Sequence, residues 1–334
     1  MPNLVFRDGF DTYASVSGVD VGVASKWPTA ASGTLVTGRF GTGQAANLTG
    51  ASTDWITPTF TALSSFTFEA GFMVVAGTTG SIIFFREGAT NHVDLTWEAD
   101  GTIRAKRNGT LLGSSAGGAF TVGSWYSLQV EVVISDTVGR VTIYLDGVQK
   151  LNLTGLDTKN GGTGVVDRIY FSGGSGSIGG RYDDMLVQDS ATRLANPIRA
   201  STLYPTSDGA TLNLVPSTGT SHFALVDEAL ASRTDYLSGS TVGDLDLLGL
   251  GNLPTTPLSI QEVNAIVYAS KTDATNRSIA LGVKSGATTS DGSNYALSSS
   301  GGRFERPLAV DPNTGAAWTT SAVNALELQP KVTV

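Results

Sequence analysis

Apolar and polar residues alternate with a period of two along much of the first part of the chain. The apolar positions of the two clearest segments are Phe66, Phe68, Ala70, Phe72 and Val74, and then Leu128, Val130, Val132 and Ile134. Because successive side chains of a strand point to opposite faces of a sheet, this period predicts strands with one buried face. A further segment, Val141–Leu145, runs directly into Asp146-Gly147, and an Asp-Gly pair in that position signals a two-residue hairpin turn. The pattern predicts antiparallel β structure.

Many short segments of this kind precede residue 190, and most are separated by Gly, Asn or Asp. The predicted strands are Val5–Phe10, Ala45–Leu48, Phe66–Val75, Ser81–Arg86, Val93–Trp97, Ile103–Arg107, Trp125–Ser135, Val141–Leu145, Asp167–Ser172 and Tyr182–Gln188. Short strands at close spacing with turn residues between them are typical of a two-sheet sandwich. We therefore predict an all-β domain over residues 1–195.

The strand pattern stops at Asn196-Pro197, where proline disfavours helix for the preceding residue and removes a ladder donor. We predict a linker over residues 196–204 and a second, smaller β-sandwich over residues 205–334. Its predicted strands are Ala210–Val215, His222–Val226, Gln261–Lys271, Ser278–Lys284, Tyr295–Ser298 and Leu326–Val334. Residues 243–249 are expected to form an acidic edge segment, and residues 318–325 one helical turn.

Composition narrows the classes of function. Of 334 residues, 41 are Gly and only 15% are charged, below the roughly 25% of an average soluble domain. This composition suits β structure with many tight turns, and also virion shells and adhesins, whose surfaces are covered by neighbouring subunits. The net charge of −8 argues against nucleic-acid binding, which needs clustered Lys and Arg. The chain has no Cys, which fits folding in a cytosol, and no apolar run approaches the ~18 residues of a membrane helix.

Candidate catalytic and cofactor patterns are incomplete. Residues 174–179 match the dinucleotide-binding glycine pattern, but a strand, not the required helix, is predicted to follow. The two histidines, His92 and His222, lie in different predicted domains, and no G-x-S-x-G elbow occurs. Glu98 and Asp100 approach the three-acid strand pattern of the sandwich glucanases, but the third acid is missing. We predict no catalytic residue and no organic cofactor; a glycoside hydrolase or depolymerase stays an alternative.

Calcium and glycan are the two ligands that the sequence leaves open. Five acids that could supply oxygen ligands to calcium from several loops are Asp146, Asp167, Asp183, Asp184 and Asp189. Because Asp183 and Asp184 are adjacent, they are expected to point to opposite faces of a strand. Trp27 and Trp55 lie in turn-rich stretches and are the better candidates among the tryptophans for exposed aromatic residues that could contact a glycan, but packing is the favoured role for both.

Five segments of the first part of the chain share a family resemblance: Phe6–Asp11, Phe66–Phe72, Gly123–Leu128, Tyr144–Gly147 and Tyr182–Val187. On these segments, the first part of the chain is similar to a laminin-G-like or concanavalin A-like jelly roll. The resemblance implies a jelly-roll sandwich over about 190 residues, in which the Asp-Gly and Asp-Asp positions are mostly structural.

The second part resembles a segment found in structural proteins of tailed bacteriophages, on the phrases Asp235–Ser238, Lys271–Gly286 and Asp311–Thr319. The resemblance implies a multi-copy virion protein, made in the host cytoplasm, whose partners are other virion proteins and copies of itself. We expect a non-enzymatic, tail-associated subunit that acts by contact. The alternatives are a capsid decoration or head-fibre protein and a lectin module that binds a host surface glycan.

Overall fold

The computed structural model of the chain describes residues 3–13, 19–20, 23–24, 27, 30–48, 55–75, 79–173 and 178–334. The prediction of an all-β protein is confirmed, because nearly every regular element in these ranges is an antiparallel strand. The chain forms two compact units, one of Met1–Gly18 with Lys26–Ala200 and one of Val19–Ser25 with Ser201–Val334. The predicted linker of residues 196–204 spans the division at Ala200.

The first unit is built from two sheets of eight strands each. The strands of the first sheet are β1 (Leu4–Asp8), β5 (Thr34–Thr37), β6 (Gln44–Leu48), β9 (Ser65–Val74), β14 (Trp125–Val133), β15 (Gly139–Leu145), β16 (Val148–Leu156) and β18 (Gly180–Gln188). They follow the order β16-β15-β14-β9-β18-β6-β5, and β1 pairs with β18. The hairpin from β15 to β16 turns at Asp146 (φ 49°) and Gly147 (φ 78°), as the Asp-Gly signal predicts.

The second sheet of this unit carries the remaining strands. They are β4 (Ala30–Ser32), β7 (Trp55–Ile56), β8 (Thr59–Leu63), β10 (Gly80–Glu87), β11 (Thr90–Trp97), β12 (Ile103–Arg107), β13 (Thr110–Ser114) and β17 (Val166–Ser172). The order is β13-β12-β11-β10-β17-β7-β4, and β8 pairs with β17.

The core of the first unit consists of the inward rows of both sheets. Phe66, Phe68 and Phe72 of β9 are at most 1% exposed and contact the aromatic rings of Phe85, Phe171 and Trp97. Burial of such side chains contributes roughly 1.5–3 kcal/mol each. The predicted period-two rows of β9 and β14 are therefore core faces, and the intervening residues of these strands face away from the core.

The second unit has a six-stranded sheet and three two-stranded sheets. Its strands are β2 (Val19–Asp20), β3 (Val23–Ala24), β19 (Pro205–Leu212), β20 (Val215–Pro216), β21 (Leu237–Ser238), β22 (Asp246–Leu250), β23 (Val263–Ala269), β24 (Ser278–Ser285), β25 (Thr288–Ser290), β26 (Asn294–Ala296), β27 (Gly302–Leu308) and β28 (Glu327–Val332). The larger sheet runs β19-β22-β28-β24-β25, with β26 on β24. Its core joins Leu281 and Val283 of this sheet to Ala265 and Leu308 of the β23–β27 pair.

Three local predictions in the second unit have different outcomes. The helical turn near residue 320 is confirmed as α1 (Thr320–Asn324), whose N-cap Thr319 accepts a hydrogen bond from the Ala322 amide. The strand predicted over His222–Val226 is wrong, because Phe223–Leu225 form a 3-10 helix. The predicted acidic edge is also wrong: β22 lies inside its sheet, between β19 and β28.

Candidate functional site

The outward face of the first sheet is polar and yet buried. Thr67 and Glu69 of β9 lie beside Glu131 and Gln129 of β14, and each is at most 7% exposed. Polar groups removed from water need hydrogen-bond partners, because an unsatisfied buried group costs several kcal/mol. The partners come from the segment that follows β18.

Residues 190–195 cross this face, and we call them the strap. The Arg193 amide donates to Glu131 Oε1 (3.0 Å), and the Leu194 amide donates to Glu69 Oε1 (3.0 Å). Gln129 donates from Nε2 to the Leu194 carbonyl (3.0 Å) and accepts from Arg193 Nη1 (2.9 Å). The chain itself thus occupies the polar face of the first sheet, and the carboxylates there hold backbone amides.

Burial raises the pKa of Glu69 to about 7, against the opposing effects of its hydrogen bonds and of the Arg193 charge. Arg193 also lies over the Tyr144 ring, 4.2 Å from the ring centroid. Sequence reasoning missed the strap because its six residues show no periodicity, and their role depends on partners more than 60 residues away.

Asp183 and Asp184 depart from the predicted strand alternation. The pairing of β18 with β9 shifts register between Asp183 and Leu186, and Asp184 has a φ of 49°. A bulge of this kind breaks the period of two of an ideal strand at this point, and the expectation that the two side chains point to opposite faces stays a prediction. Burial raises the pKa of both carboxyl groups. The charge of Asp11 raises both pKa values further, and the charge of Arg39 lowers them.

The five acids named as calcium ligands have separate partners. Asp146 accepts from the Ser127 amide, Asp167 from the Gly88 amide and from Arg168, and Asp189 from Asn3. Asp183 accepts from the Arg39 amide and Asp184 from the Ala200 amide. Within the part of the chain that the structure describes, no group of three or more His, Cys, Asp or Glu residues could hold a metal ion.

Trp27 packs in the core, the role that the sequence favours for it, and the alternative of an exposed Trp27 that contacts a glycan is wrong. The side chain is 2% exposed, stacks on Phe10 (5.2 Å between centroids) and meets Phe6 edge-on. Its Nε1 donates to Asp8 Oδ2 (3.0 Å), which also accepts from the Tyr13 hydroxyl. A tryptophan held in this way is part of the core and offers no ring face to a glycan.

Trp55 is partly exposed and belongs to a larger feature on the outward face of the second sheet. Its ring stacks on Tyr170 of β17 (5.6 Å, 30°), and Tyr170 meets Phe84 of β10 edge-on (5.7 Å). The Arg86 guanidinium lies over both rings, 3.9 Å from the Tyr170 centroid and 5.1 Å from that of Phe84. We call Trp55, Phe84, Arg86 and Tyr170 the aromatic–arginine platform; all four side chains are partly exposed.

Strand register explains why the platform faces outward. Phe84 pairs with Tyr170, and Arg86 pairs with Arg168, so alternate residues of β10 share this face. A register shift between Ser81 and Ile83 precedes them. Residues 82–85 are all apolar, but the third of them, Phe84, points away from the core.

The second unit contains a buried histidine–carboxylate pair. His222 Nδ1 lies 2.6 Å from Asp246 Oδ2, while Asp246 Oδ1 accepts the amides of Asn213 and Leu214. Asp208 accepts the amide of His222. These contacts hold the 3-10 turn against β22. They provide the hydrogen bonds that Asp246 needs as a buried acid in an internal strand.

No protein-family profile matches the sequence, and no curated protein matches it either. Among solved structures, the chain is similar to the alginate lyase Aly36B (15% identity, TM-score 0.38), covering 60% of this chain and 100% of the lyase. It is similar to a sialidase of Trypanosoma rangeli (12%, TM-score 0.34; 45% of this chain), of which it spans about a quarter, 26%. A heptameric SAP-like pentraxin of Limulus polyphemus is also similar (17%, TM-score 0.34; 45% of this chain and 78% of the pentraxin).

These three proteins have jelly-roll sandwich folds, and at such identities the likeness concerns the fold alone. Among the described residues, no helix has the length and apolar character needed to cross a membrane.

Proposed function

We propose that the chain is a non-enzymatic structural protein of a bacteriophage virion, in a tail-associated position, that acts by contact with other virion proteins and with the host surface. The phrases near residues 235, 271 and 311 that resemble tail-phage structural proteins motivate the virion context. Capsid decoration is the alternative position.

One observation supports a contact function above others: the two outward faces of the jelly roll differ. The polar face of the first sheet is filled by the strap, and its acids Glu69 and Glu131 bind backbone amides. The second sheet presents the aromatic–arginine platform, whose side chains are partly exposed. A rigid sheet with one aromatic face toward solvent is suited to binding a partner.

The virion proposal is tested on particles. Antibody raised against the purified chain is expected to label the tail of phage particles that carry this gene, in immunogold electron microscopy. Mass spectrometry of the same particles should detect the chain in several copies. Label on the head would favour the capsid position, and absence of the chain from purified particles would contradict the proposal.

The platform favours a second, compatible function, that of a glycan-binding module. Aromatic faces present apolar area with fixed orientation, which suits the C–H faces of sugar rings. Trp55 stacks on Tyr170 with the ring planes 30° apart, and Phe84 meets Tyr170 edge-on, so three partly exposed rings lie next to one another. We therefore propose that Phe84 and Tyr170 contact the glycan together with Trp55.

Phe84→Ala and Trp55→Ala are each expected to weaken glycan binding by about tenfold or more, which corresponds to about 1.4 kcal/mol. The measurement is a glycan array followed by titration calorimetry on the best ligand. Phe40→Ala is the matched control, because Phe40 is 47% exposed in the same unit but is not part of the platform, and its ring lies against the Arg39 and Arg199 guanidiniums. Unchanged binding in both platform variants would contradict this function.

The hydrolase or depolymerase alternative is tested by release of reducing sugar from host polysaccharide. We expect none, because Glu69 and Glu131 are held under the strap and cannot reach a substrate as a pair of acid and base. Turnover that is lost in Glu69→Gln or Glu131→Gln would overturn the non-enzymatic proposal.

A further inference from the structure

We propose that Arg86 binds a carboxylate of the glycan, so that the platform prefers acidic saccharides to neutral ones. This inference rests on the proposed glycan-binding function and deepens it, since it assigns the ligand class and the residue that selects it.

Two neighbouring side chains hold the Arg86 guanidinium in place. Its guanidinium is fixed from below by the Tyr170 ring at 3.9 Å and from the side by Asn91 Oδ1, which accepts from Nε at 2.5 Å. A guanidinium held by stacking loses little conformational freedom when it binds a ligand. The two terminal nitrogens, Nη1 and Nη2, have no hydrogen bond to a described residue, so a bidentate edge is free for a ligand.

Among the described residues, Arg86 lacks the acidic partner that neighbouring arginines have. Arg168, its partner across the strands, is held by both carboxylate oxygens of Asp167, and Arg104 on the same sheet pairs with Glu98. No acidic side chain among the described residues forms an ion pair with Arg86. Burial and the Arg168 charge lower the pKa of Arg86, so the site gains from an added anion.

The neighbouring rings select a sugar rather than an acidic protein segment. A carboxylate on a pyranose ring lies beside the ring's own C–H face, so a saccharide that lies over the exposed side of the platform can contact the aromatic rings and bring its carboxylate to Arg86. The protein as a whole carries a net charge of −8, so this preference must arise at Arg86 and not from long-range attraction.

The experiment compares each acidic oligosaccharide with its own methyl ester, which keeps the rings but removes the charge. Oligogalacturonates and sialylated oligosaccharides are suitable probes, and binding is measured by calorimetry at low salt. We expect the wild-type chain to prefer the acid by about tenfold, Arg86→Gln to abolish the preference, and Arg86→Lys to retain part of it. Arg104→Gln removes the same charge from the same sheet and is expected to keep the preference.

Circular dichroism establishes that each variant is folded. A preference that persists in Arg86→Gln, or equal binding of acid and ester by the wild-type chain, would overturn the role of Arg86 while leaving glycan binding intact. Binding of no glycan at all would contradict the proposed glycan-binding function as well. Binding of polyglutamate through Arg86, without any saccharide, would show a protein-docking surface instead and would overturn the inference.

Discussion

Trp27→Ala is expected to lower the free energy of unfolding of the first unit by about 3–5 kcal/mol, the range for removal of a large buried aromatic side chain. The substitution opens a cavity between Phe6 and Phe10 and removes the indole donor to Asp8. For a unit of this size the melting temperature should fall by roughly 10 °C, since 1 kcal/mol corresponds to about 2–4 °C. Differential scanning calorimetry of the full chain measures the shift.

Trp55→Ala is the matched control for this change. Because Trp55 is partly exposed and stacks on the partly exposed Tyr170, we expect a loss below about 1 kcal/mol. The two substitutions should therefore have different effects: Trp27→Ala lowers stability, and Trp55→Ala lowers glycan affinity. Equal melting temperatures of the two variants would show that Trp27 does not anchor the core.

The difference between these two residues could not be predicted from local sequence. Both lie in turn-rich stretches, and nothing within a few residues distinguishes them. What buries Trp27 is a set of long-range contacts with Phe6, Asp8 and Phe10 near the start of the chain. Such contacts depend on the fold, and a single sequence does not reveal them.

The strands could be predicted from the sequence because alternation is a local signal. Positions 66–74 and 128–134 alternate, and the structure places their apolar residues in the core. Local alternation does not predict the bulge that interrupts it at Asp184, whose backbone is left-handed. The outward position of Phe84 depends in the same way on strand register, and so the platform was only partly predicted, through Trp55.

Lowering the pH from 8 to about 5.5 is expected to raise the melting temperature of the first unit through its buried acids. The pKa of Glu69 is raised to about 7, from an ordinary 4.5, and burial raises those of Asp183 and Asp184 as well. Between the two pKa values the folded state binds more protons than the unfolded state, so stability falls as the pH rises through this window. The contribution is fully present below pH 4.5 and lost above pH 7.

Asp184→Asn isolates this effect. The amide keeps the acceptor for the Ala200 amide. Oδ2 of Asp184 is buried and has no hydrogen-bond partner among the described residues, and the substitution replaces it with an uncharged donor beside Asp183. We expect a gain of about 1–3 kcal/mol at pH 8, a smaller gain at pH 5.5, and a shallower dependence of melting temperature on pH. The measurement is calorimetry of variant and wild-type chains over this pH range.

Asp146→Asn separates charge burial from backbone preference. Asp146 has the same φ of 49° as Asp184, but its side chain is 55% exposed, so the substitution changes the left-handed preference without removing a buried charge. We expect a small effect that does not vary with pH. If Asp184→Asn instead destabilised the unit, and calcium stabilised the wild-type chain but not the variant, the raised pKa values would mark a cation site. The two adjacent acids would then be the calcium ligands that the sequence left open, because a bound cation offsets their repulsion.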